Sequence, residues 1–290
     1  MLKNRIRYWK HAAWRRIFSK KVDHLPSNKI YVSFTFDTEE DWDNNNPLYH
    51  NSMVYYNSYK YITSGIFYRL VNGFNERDIS ATFYVTYNVA RDMPEVLKYL
   101  EEKNQAIGAH VHPHNFEDVA YPYNGGADGD KITSYSFTKN MEWMRVTKDL
   151  IESITGSDIL LYRSGRLACN NETEKAAKLI GFKAISNHRG VYYMKPFSIW
   201  NLGVGVCDIF NFKVFDSLDK YIELFKSELD QIIVFSAHPM LLYNHATDEM
   251  KEEELNMFFK FVDYLRNDEN VEIINQYQLL RMVEEWRDGK

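Results

Sequence analysis

Short runs of apolar and β-branched residues alternate along this chain with longer stretches in which apolar residues recur at helical spacing. Residues 29–36 (KIYVSFTF), 80–86 (SATFYVT) and 232–236 (IIVFS) are runs of the kind that form buried strands. The segments 61–76 and 137–155 carry apolar residues every three or four positions, which predicts amphipathic helices. Nearly continuous apolar strands separated by helices favour a parallel sheet, and we predict an α/β fold.

The same pattern predicts the remaining elements. Further strands are expected at 106–109, 159–162, 183–186 and 271–274, and further helices at 93–103, 171–180, 218–230, 247–266 and 276–286. Residues 191–215 are typical of irregular β structure, and the Asn- and Gly-rich segment 124–129 predicts a loop.

Residues that can do chemistry follow several of the predicted strands directly. Asp37, His110, Arg163 and His238 each stand at the carboxyl end of a strand. A barrel of parallel strands brings such residues together on one rim, where active sites assemble. A doubly wound open sheet is the alternative, but no dinucleotide-binding glycine pattern follows the first strand.

Composition and charge narrow the class of protein. The chain has 290 residues, of which 45% are hydrophobic and 16% aromatic, enough for a large core. A net charge of -5 argues against a nucleic-acid partner. Cys169 and Cys207 are the only cysteines, which excludes a disulfide framework and fits a reducing compartment. Without an apolar signal segment or a long apolar run, we expect a cytoplasmic location.

The amino-terminal residues differ from the rest of the chain. Residues 3–21 are strongly basic and place Trp9, Trp14 and Phe18 on or near one helical face. Such a helix suits peripheral contact with the anionic cytoplasmic face of a membrane, and packing of the same face on the domain is the alternative. We therefore divide the chain into a basic amphipathic extension, residues 1–28, and a barrel domain, residues 29–290.

The segment His110-Val111-His112-Pro113-His114 places three imidazoles within five residues, although the chain has 9 histidines in total. Neutral imidazole is the commonest protein ligand of zinc-like metals. The segment therefore indicates a metal site, while a His-rich polar loop is the simpler alternative.

Four clusters at strand ends, taken in order, resemble the motifs of a known family. The clusters are residues 35–42 (TFDTEEDW), 107–114 (IGAHVHPH), 162–166 (YRSGR) and 234–239 (VFSAHP). They are similar to those of the polysaccharide deacetylase family, also called NodB-homology domains or carbohydrate esterase family four. The resemblance covers about residues 29–285. It implies a deformed (β/α)7 barrel and a metal-dependent hydrolase that removes an acyl group, first of all acetyl, from a sugar.

Some positions depart from the common pattern of that family. Thr38 stands where the family usually has a metal-binding Asp, and Glu39 comes next. With His-x-His-Pro and Arg-x-Gly-Arg, this form resembles a WbmS-like subgroup found with bacterial surface-polysaccharide synthesis. That resemblance implies a role in O-antigen-like (lipopolysaccharide) biosynthesis, with an N-acylated sugar, a nucleotide sugar or a lipid-linked glycan as the partner.

The resemblance also implies a metal-ligand set. Its members are Glu39, His110 and His114, with His112 as the alternative to His114 and Asp41 as the alternative to Glu39. The metal implied is Zn, with Co, Mn or Ni as alternatives. Such an ion lowers the pKa of a coordinated water and polarises an acyl oxygen.

The remaining roles follow from the same resemblance. Asp37 would be the general base, held by Arg163, and His238 the general acid, oriented by Asp208 or Asp216. We expect substrate contacts from Arg166, Trp42 and Tyr162.

Two other functions fit the same residues. Thr38 in place of the usual Asp would suit a catalytically inactive carbohydrate-binding or scaffold barrel. A related deformylase, amidohydrolase or esterase would need the same catalytic groups, so the sequence leaves these alternatives open.

Overall fold

The computed structural model describes residues 19–22, 24–43, 54–55, 58–116, 129–205, 208–228 and 230–289. The predicted basic helix lies mostly outside the described residues. Of the residues assigned to it, 19–21 form a short strand at the edge of the main sheet. None of the described helices is both long enough and apolar enough to cross a membrane.

Among the described residues, ten strands form the main sheet, and four more form two small antiparallel pairs. In chain order the strands are β1 (Ser19–Lys21), β2 (Ile30–Thr38), β3 (Trp42–Asp43), β4 (Val54–Tyr55), β5 (Thr82–Thr86), β6 (Ala106–Val111), β7 (Leu161–Ser164), β8 (Ala184–Ile185), β9 (Tyr192–Met194), β10 (Ile199–Asn201), β11 (Ile232–Ala237), β12 (Tyr243–Asn244), β13 (Glu249–Met250) and β14 (Val271–Ile273). The order across the main sheet is β1-β9-β10-β8-β7-β6-β5-β2-β11, and β14 pairs with the start of β2.

Helices connect most of the parallel strands. They are α1 (Lys60–Thr63), α2 (Ile66–Asn75), α3 (Tyr87–Asp92), α4 (Pro94–Glu102), α5 (Phe137–Thr155), α6 (Asn171–Ile180), α7 (Leu218–Ser227), α8 (Glu252–Arg266) and α9 (Gln276–Asp288). The helix predicted at 61–76 is broken at Gly65, whose φ of 94° is in the left-handed region that favours glycine. The helix predicted at 247–266 begins only at Glu252, because β13 pairs with β12 just before it.

Aromatic packing fixes β2 in the middle of the molecule. The ring of Phe34 lies 5.6 Å from Phe74 of α2, 5.5 Å from Phe235 of β11 and 5.5 Å from Phe258 of α8. Full burial of one such side chain contributes about 1.5–3 kcal/mol. The apolar half of β2 therefore anchors the polar residues that follow it.

Strand register brings the predicted chemical residues to one rim. Thr86 of β5 is opposite His110 of β6, and His110 is opposite Arg163 of β7. Ala237, which precedes His238, is opposite Phe36, which precedes Asp37. Because these strands are parallel, the residues at their carboxyl ends face a common space.

Irregular backbone in residues 202–205 and at Ile209 contacts both β8 and β11. The Leu202 amide donates to the Ile185 carbonyl at 2.8 Å on the β8 side. The amides of Gly205 and Ile209 donate to the carbonyls of Val234 and Ser236 of β11, each at 3.1 Å. The α/β fold with a parallel sheet is confirmed, and the open strand order with these contacts does not contradict a deformed barrel.

Candidate metal-dependent active site

Asp37 and Arg163 form a buried ion pair at the centre of the rim. Arg163 Nη1 donates to Asp37 Oδ1 at 2.6 Å, and Arg163 is fully buried. Its Nη2 donates to Thr35 Oγ1 at 2.9 Å and Ser186 Oγ at 2.6 Å, and its guanidinium lies 4.1 Å from the Tyr84 ring centre. The guanidinium is therefore held from several sides.

The environment of Asp37 keeps its carboxylate ionised. Burial alone would raise the pKa of Asp37, but the charge of Arg163, together with His110 and His238, outweighs burial and lowers it. An ionised carboxylate in this position can accept a proton.

The rings of His110 and His112 direct their Nε2 atoms toward each other. His110 Nδ1 lies 3.1 Å from the Arg163 carbonyl oxygen, and His112 Nδ1 lies 2.9 Å from Asp130 Oδ2. Since those oxygens only accept, each Nδ1 carries a proton, and each ring directs its Nε2 toward the other. The two Nε2 atoms are 3.1 Å apart, a spacing suited to two ligands of one cation.

Glu39 completes this group. Its Oε2 lies 3.4 Å from His112 Nε2, and its Oε1 lies 3.8 Å from His110 Nε2. Oε2 is buried without a hydrogen-bond partner among the residues that the structure describes. Burial alone would raise the pKa of Glu39, but the surrounding imidazoles lower it well below its usual range. Two imidazoles and one carboxylate around a common point fit a divalent metal with an open position.

His114 is directed elsewhere. Pro113 begins the turn Pro113–Asn115, and this turn takes His114 out of the extended backbone that carries His110 and His112. His114 Nδ1 lies 2.9 Å from Asp130 Oδ1, and its Nε2 lies 3.5 Å from Glu40 Oε1. Burial would lower the pKa of His114, but those two carboxylates raise it to about 9. The structure therefore groups His112 with Glu39 and His110, where the sequence favours His114.

Asp41, the predicted substitute for Glu39, has a different role. Its Oδ2 accepts from the Lys60 amide at 2.6 Å and from Ser58 Oγ at 2.7 Å, so it supports the start of α1. It is absent from the ligating groups that the described residues form around Glu39.

Asp130 is a site residue that sequence reasoning missed. It is fully buried and accepts from His112 Nδ1, from His114 Nδ1 and, at 3.0 Å, from Arg166 Nε. Burial would raise the pKa of Asp130, but the two imidazoles lower it. Its only signal in the sequence is a carboxylate directly after the predicted loop 124–129, and nothing there indicates a partner.

Gly165 provides the space that His112 occupies. A Cβ on Gly165 would lie 2.5 Å from ring atoms of His112, closer than side chains tolerate. The glycine of the Arg-Ser-Gly-Arg segment is therefore required for the close approach of this imidazole.

His238 lies beside Glu39 and is partly exposed. Its Nε2 is 3.2 Å from Glu39 Oε1 and 3.8 Å from Asp37 Oδ2, and its Nδ1 hydrogen-bonds to Asp208. Burial would lower the pKa of His238, but the charge of Asp208 raises it well above its usual range. Of the two predicted orienting residues, Asp208 contacts the imidazole, whereas Asp216 is exposed.

The three predicted substrate contacts differ in their positions. Arg166 lies beside Asp130 at the wall of the site and has φ 54°. Tyr162 is fully buried with its ring 5.3 Å from Phe182, so it packs in the core and does not offer a face to a sugar. Trp42 belongs to β3, but its side chain lies outside what the structure describes.

Comparison with known families gives a match for part of the sequence. The sequence profile of the polysaccharide deacetylase family matches residues 25–185, which include Asp37, Glu39, the histidine segment and Arg163. No curated protein sequence gives a significant match.

Similar solved structures share the fold at low sequence identity. A putative polysaccharide deacetylase from Mycobacterium smegmatis has a TM-score of 0.62 and 14% identity, over 92% of this chain and 96% of that one. The Puue allantoinase has a TM-score of 0.61 and 16% identity, over 90% and 92%. The peptidoglycan deacetylase PdaC from Bacillus subtilis has a TM-score of 0.51 and 14% identity, over 90% and 94%.

Proposed function

Because this chain belongs to the polysaccharide deacetylase family, whose profile spans more than half of it, we propose that it hydrolyses an N-linked acyl group, first of all acetyl, from a sugar with the help of a divalent metal. The observation that carries the proposal is the convergence of the Nε2 atoms of His110 and His112 with Glu39 beside a buried Asp37–Arg163 pair. Binding of a neutral sugar alone would require none of these groups.

Each residue has a role that its environment supports. Glu39, His110 and His112 would hold the ion, which supplies Lewis acidity to the acyl oxygen and to water when bound. Zn²⁺ suits a set of two imidazoles and one carboxylate, and Co²⁺, Mn²⁺ or Ni²⁺ are the alternatives to compare.

The proton transfers fall to the residues on either side. Asp37, held ionised by Arg163, takes a proton from the water that attacks the acyl carbon. His238, protonated beside Asp208, gives a proton to the amine nitrogen as the carbon–nitrogen bond breaks. The products are a free carboxylic acid and an amino sugar.

The test is acyl release together with metal content. We expect the purified protein to contain a divalent metal and to release acetate from an N-acetylated sugar intermediate. His110→Ala should lose the metal bound with Glu39 and His112 and lose the activity, whereas Asp37→Asn should keep that metal and lose about 10²–10⁴-fold in rate. His24→Ala, at an exposed histidine remote in sequence from the site, is the matched control and should change neither.

Two outcomes would replace this function with another. Metal binding and sugar binding without release of any acyl group would indicate an inactive scaffold, for which Thr38 is the sequence argument. Release of formate, opening of a cyclic amide or ester cleavage, without release of an N-linked acetyl group, would indicate a related hydrolase with the same catalytic residues.

The proposal extends to the class of substrate and to the place where the protein meets it. We propose a nucleotide sugar or lipid-linked glycan of a bacterial surface-polysaccharide pathway, as the WbmS-like features of the sequence imply. A lipid-carried substrate would be met at the cytoplasmic membrane face, where the basic residues in 3–21 would favour anionic lipid.

A further inference from the structure

A second group of metal-ligating side chains lies outside the site described above. Cys169 comes between the turn Gly165–Leu167 and α6, Glu174 is in the first turn of α6, and His188 follows β8. One ligand atom from each residue lies within 4.8 Å of the others. The Glu174 side chain is fully buried and that of His188 is 12% exposed.

The three side chains are joined by long hydrogen bonds, and their spacing also suits the ligands of one ion. His188 Nε2 lies 3.3 Å from Glu174 Oε1, and Cys169 Sγ lies 3.9 Å from the same oxygen. Charge-assisted hydrogen bonds between nitrogen and a carboxylate are shorter, about 2.7–2.9 Å. Ligands at about 2.0–2.3 Å from a tetrahedral ion are themselves separated by roughly 3.3–3.7 Å, close to both distances.

The chemistry of the three groups points to one class of ion. A thiolate and an imidazole beside a carboxylate suit borderline-soft transition metals such as Zn²⁺, whereas Mg²⁺ and Ca²⁺ prefer oxygen ligands throughout. A divalent cation would balance the charges of the thiolate and the carboxylate, with the thiol proton released to solvent. We propose that Cys169, Glu174 and His188 form a second transition-metal site, separate from the site of Glu39, His110 and His112.

The position of this site gives it a structural consequence. It would join the chain after β7, which contains Gly165 and Arg166, to the chain after β8. The same two segments are already joined by the Ser164 amide, which donates to Asn187 Oδ1 at 2.8 Å. A metal here would therefore stabilise the segment around Gly165, against which His112 packs, without taking part in the reaction.

Cobalt substitution tests this site independently of catalysis. The purified full-length chain is stripped with a chelator, loaded with Co²⁺ and examined for near-ultraviolet thiolate-to-cobalt charge transfer. Only a cysteine sulfur bound to the ion gives this absorption, so the site of Glu39, His110 and His112 cannot produce it. We expect the band in the native protein and two cobalt ions per chain.

Variants separate the two sites. Cys169→Ser should lose the band and one ion while keeping the other ion, which also shows that the variant has folded, and His188→Gln should do the same. Cys207→Ser, the matched control, should keep the band, and His110→Ala should lose an ion but keep the band. Absence of the band from the native protein, or its survival in Cys169→Ser, would overturn the proposal whatever the enzyme activity proves to be.

Discussion

At the scale of single residues, the site depends on charges that are buried and balanced by specific partners. Arg163 is the clearest case, because its guanidinium is fully buried and bonds Asp37, Thr35 and Ser186. Removing one partner of such a pair costs more than forming the pair contributes, since the other charge is left unsolvated.

Arg163→Met should lower the free energy of unfolding by about 3–5 kcal/mol at neutral pH, measured by urea denaturation. In the native protein the lowered pKa of Asp37 stabilises the fold above the unfolded-state pKa, and this stabilisation is lost as the pH falls. In the variant, which lacks the guanidinium, burial raises the pKa of Asp37. The deficit should therefore shrink as the pH falls and Asp37 becomes protonated. Arg69→Met, at an exposed pair with Glu252, is the control and should change stability little. A constant deficit across pH would contradict this account.

Asp208→Asn should lower the pKa of His238, because the carboxylate of Asp208 is what raises it. If His238 acts as the acid, it is active below its pKa, so the basic limb of the kcat/KM profile should move to lower pH. Asp216→Asn removes an exposed carboxylate that the sequence made an equal candidate, and it should leave the profile unchanged. An unmoved basic limb in Asp208→Asn would remove His238 from the role of acid.

Asp130→Asn should weaken metal binding by about 10–100-fold, since partners that orient a ligating imidazole have effects of that size. The proton on His112 Nδ1 and the direction of its ring both depend on this carboxylate. Competition with a chromogenic chelator measures the affinity, and Asp92→Asn, at an exposed carboxylate, provides the comparison. Equal affinities would mean that packing alone orients His112.

At the scale of elements, apolar pattern predicts the long strands well because each is buried on both faces. The strands predicted at 29–36, 106–109 and 232–236 appear as β2, β6 and β11 with ends shifted by two residues or fewer. The helices predicted at 137–155 and 171–180 coincide with α5 and α6. Short elements such as α3 were missed, because six residues carry too little periodicity to be recognised.

The same reasoning explains why the sequence indicates a metal site at the three imidazoles but does not show which two of them lie together. Alternate residues of an extended strand share a face, and His110 and His112 follow that rule. Whether the chain stays extended past Pro113 is a tertiary outcome, and only the observed turn decides the direction of His114. The partners Asp130 and Asp208 depend likewise on contacts between segments distant in sequence.

Gly165→Ala should displace His112 and reduce both metal content and activity, because the added methyl would overlap the imidazole ring. Gly156→Ala, at the end of α5, meets no atom within 4 Å but has φ 71°, so it should lower stability modestly and leave metal content unchanged. Elemental analysis and thermal unfolding of the two variants distinguish the effects. Full metal content in Gly165→Ala would show that the backbone around residue 165 can shift to accommodate the added methyl group.

At the scale of the whole molecule, residues 3–18 of the basic amino-terminal segment lie outside what the structure describes, so their role remains a prediction from the sequence. We expect the protein to sediment with vesicles that contain anionic phospholipid and to dissociate as salt is raised. Replacing Lys3, Arg5, Arg7 and Lys10 by Gln should abolish sedimentation and leave turnover of a water-soluble substrate unchanged. Equal binding of the variant, or equal binding of the native protein to uncharged vesicles, would contradict membrane contact through these residues.

The candidate ligands His110 and His112 lie on β6 and directly after it, and this position has a consequence for how a bound metal would be released. His110 is in a strand that is buried throughout and bonded to β5 on one edge and β7 on the other. Strands of this kind usually open only with the whole domain, so their amide hydrogens exchange by global unfolding. The ligand pair should thus persist through local fluctuations of the surrounding loops. Release of the metal in rising denaturant is then expected to coincide with the main unfolding transition rather than to precede it.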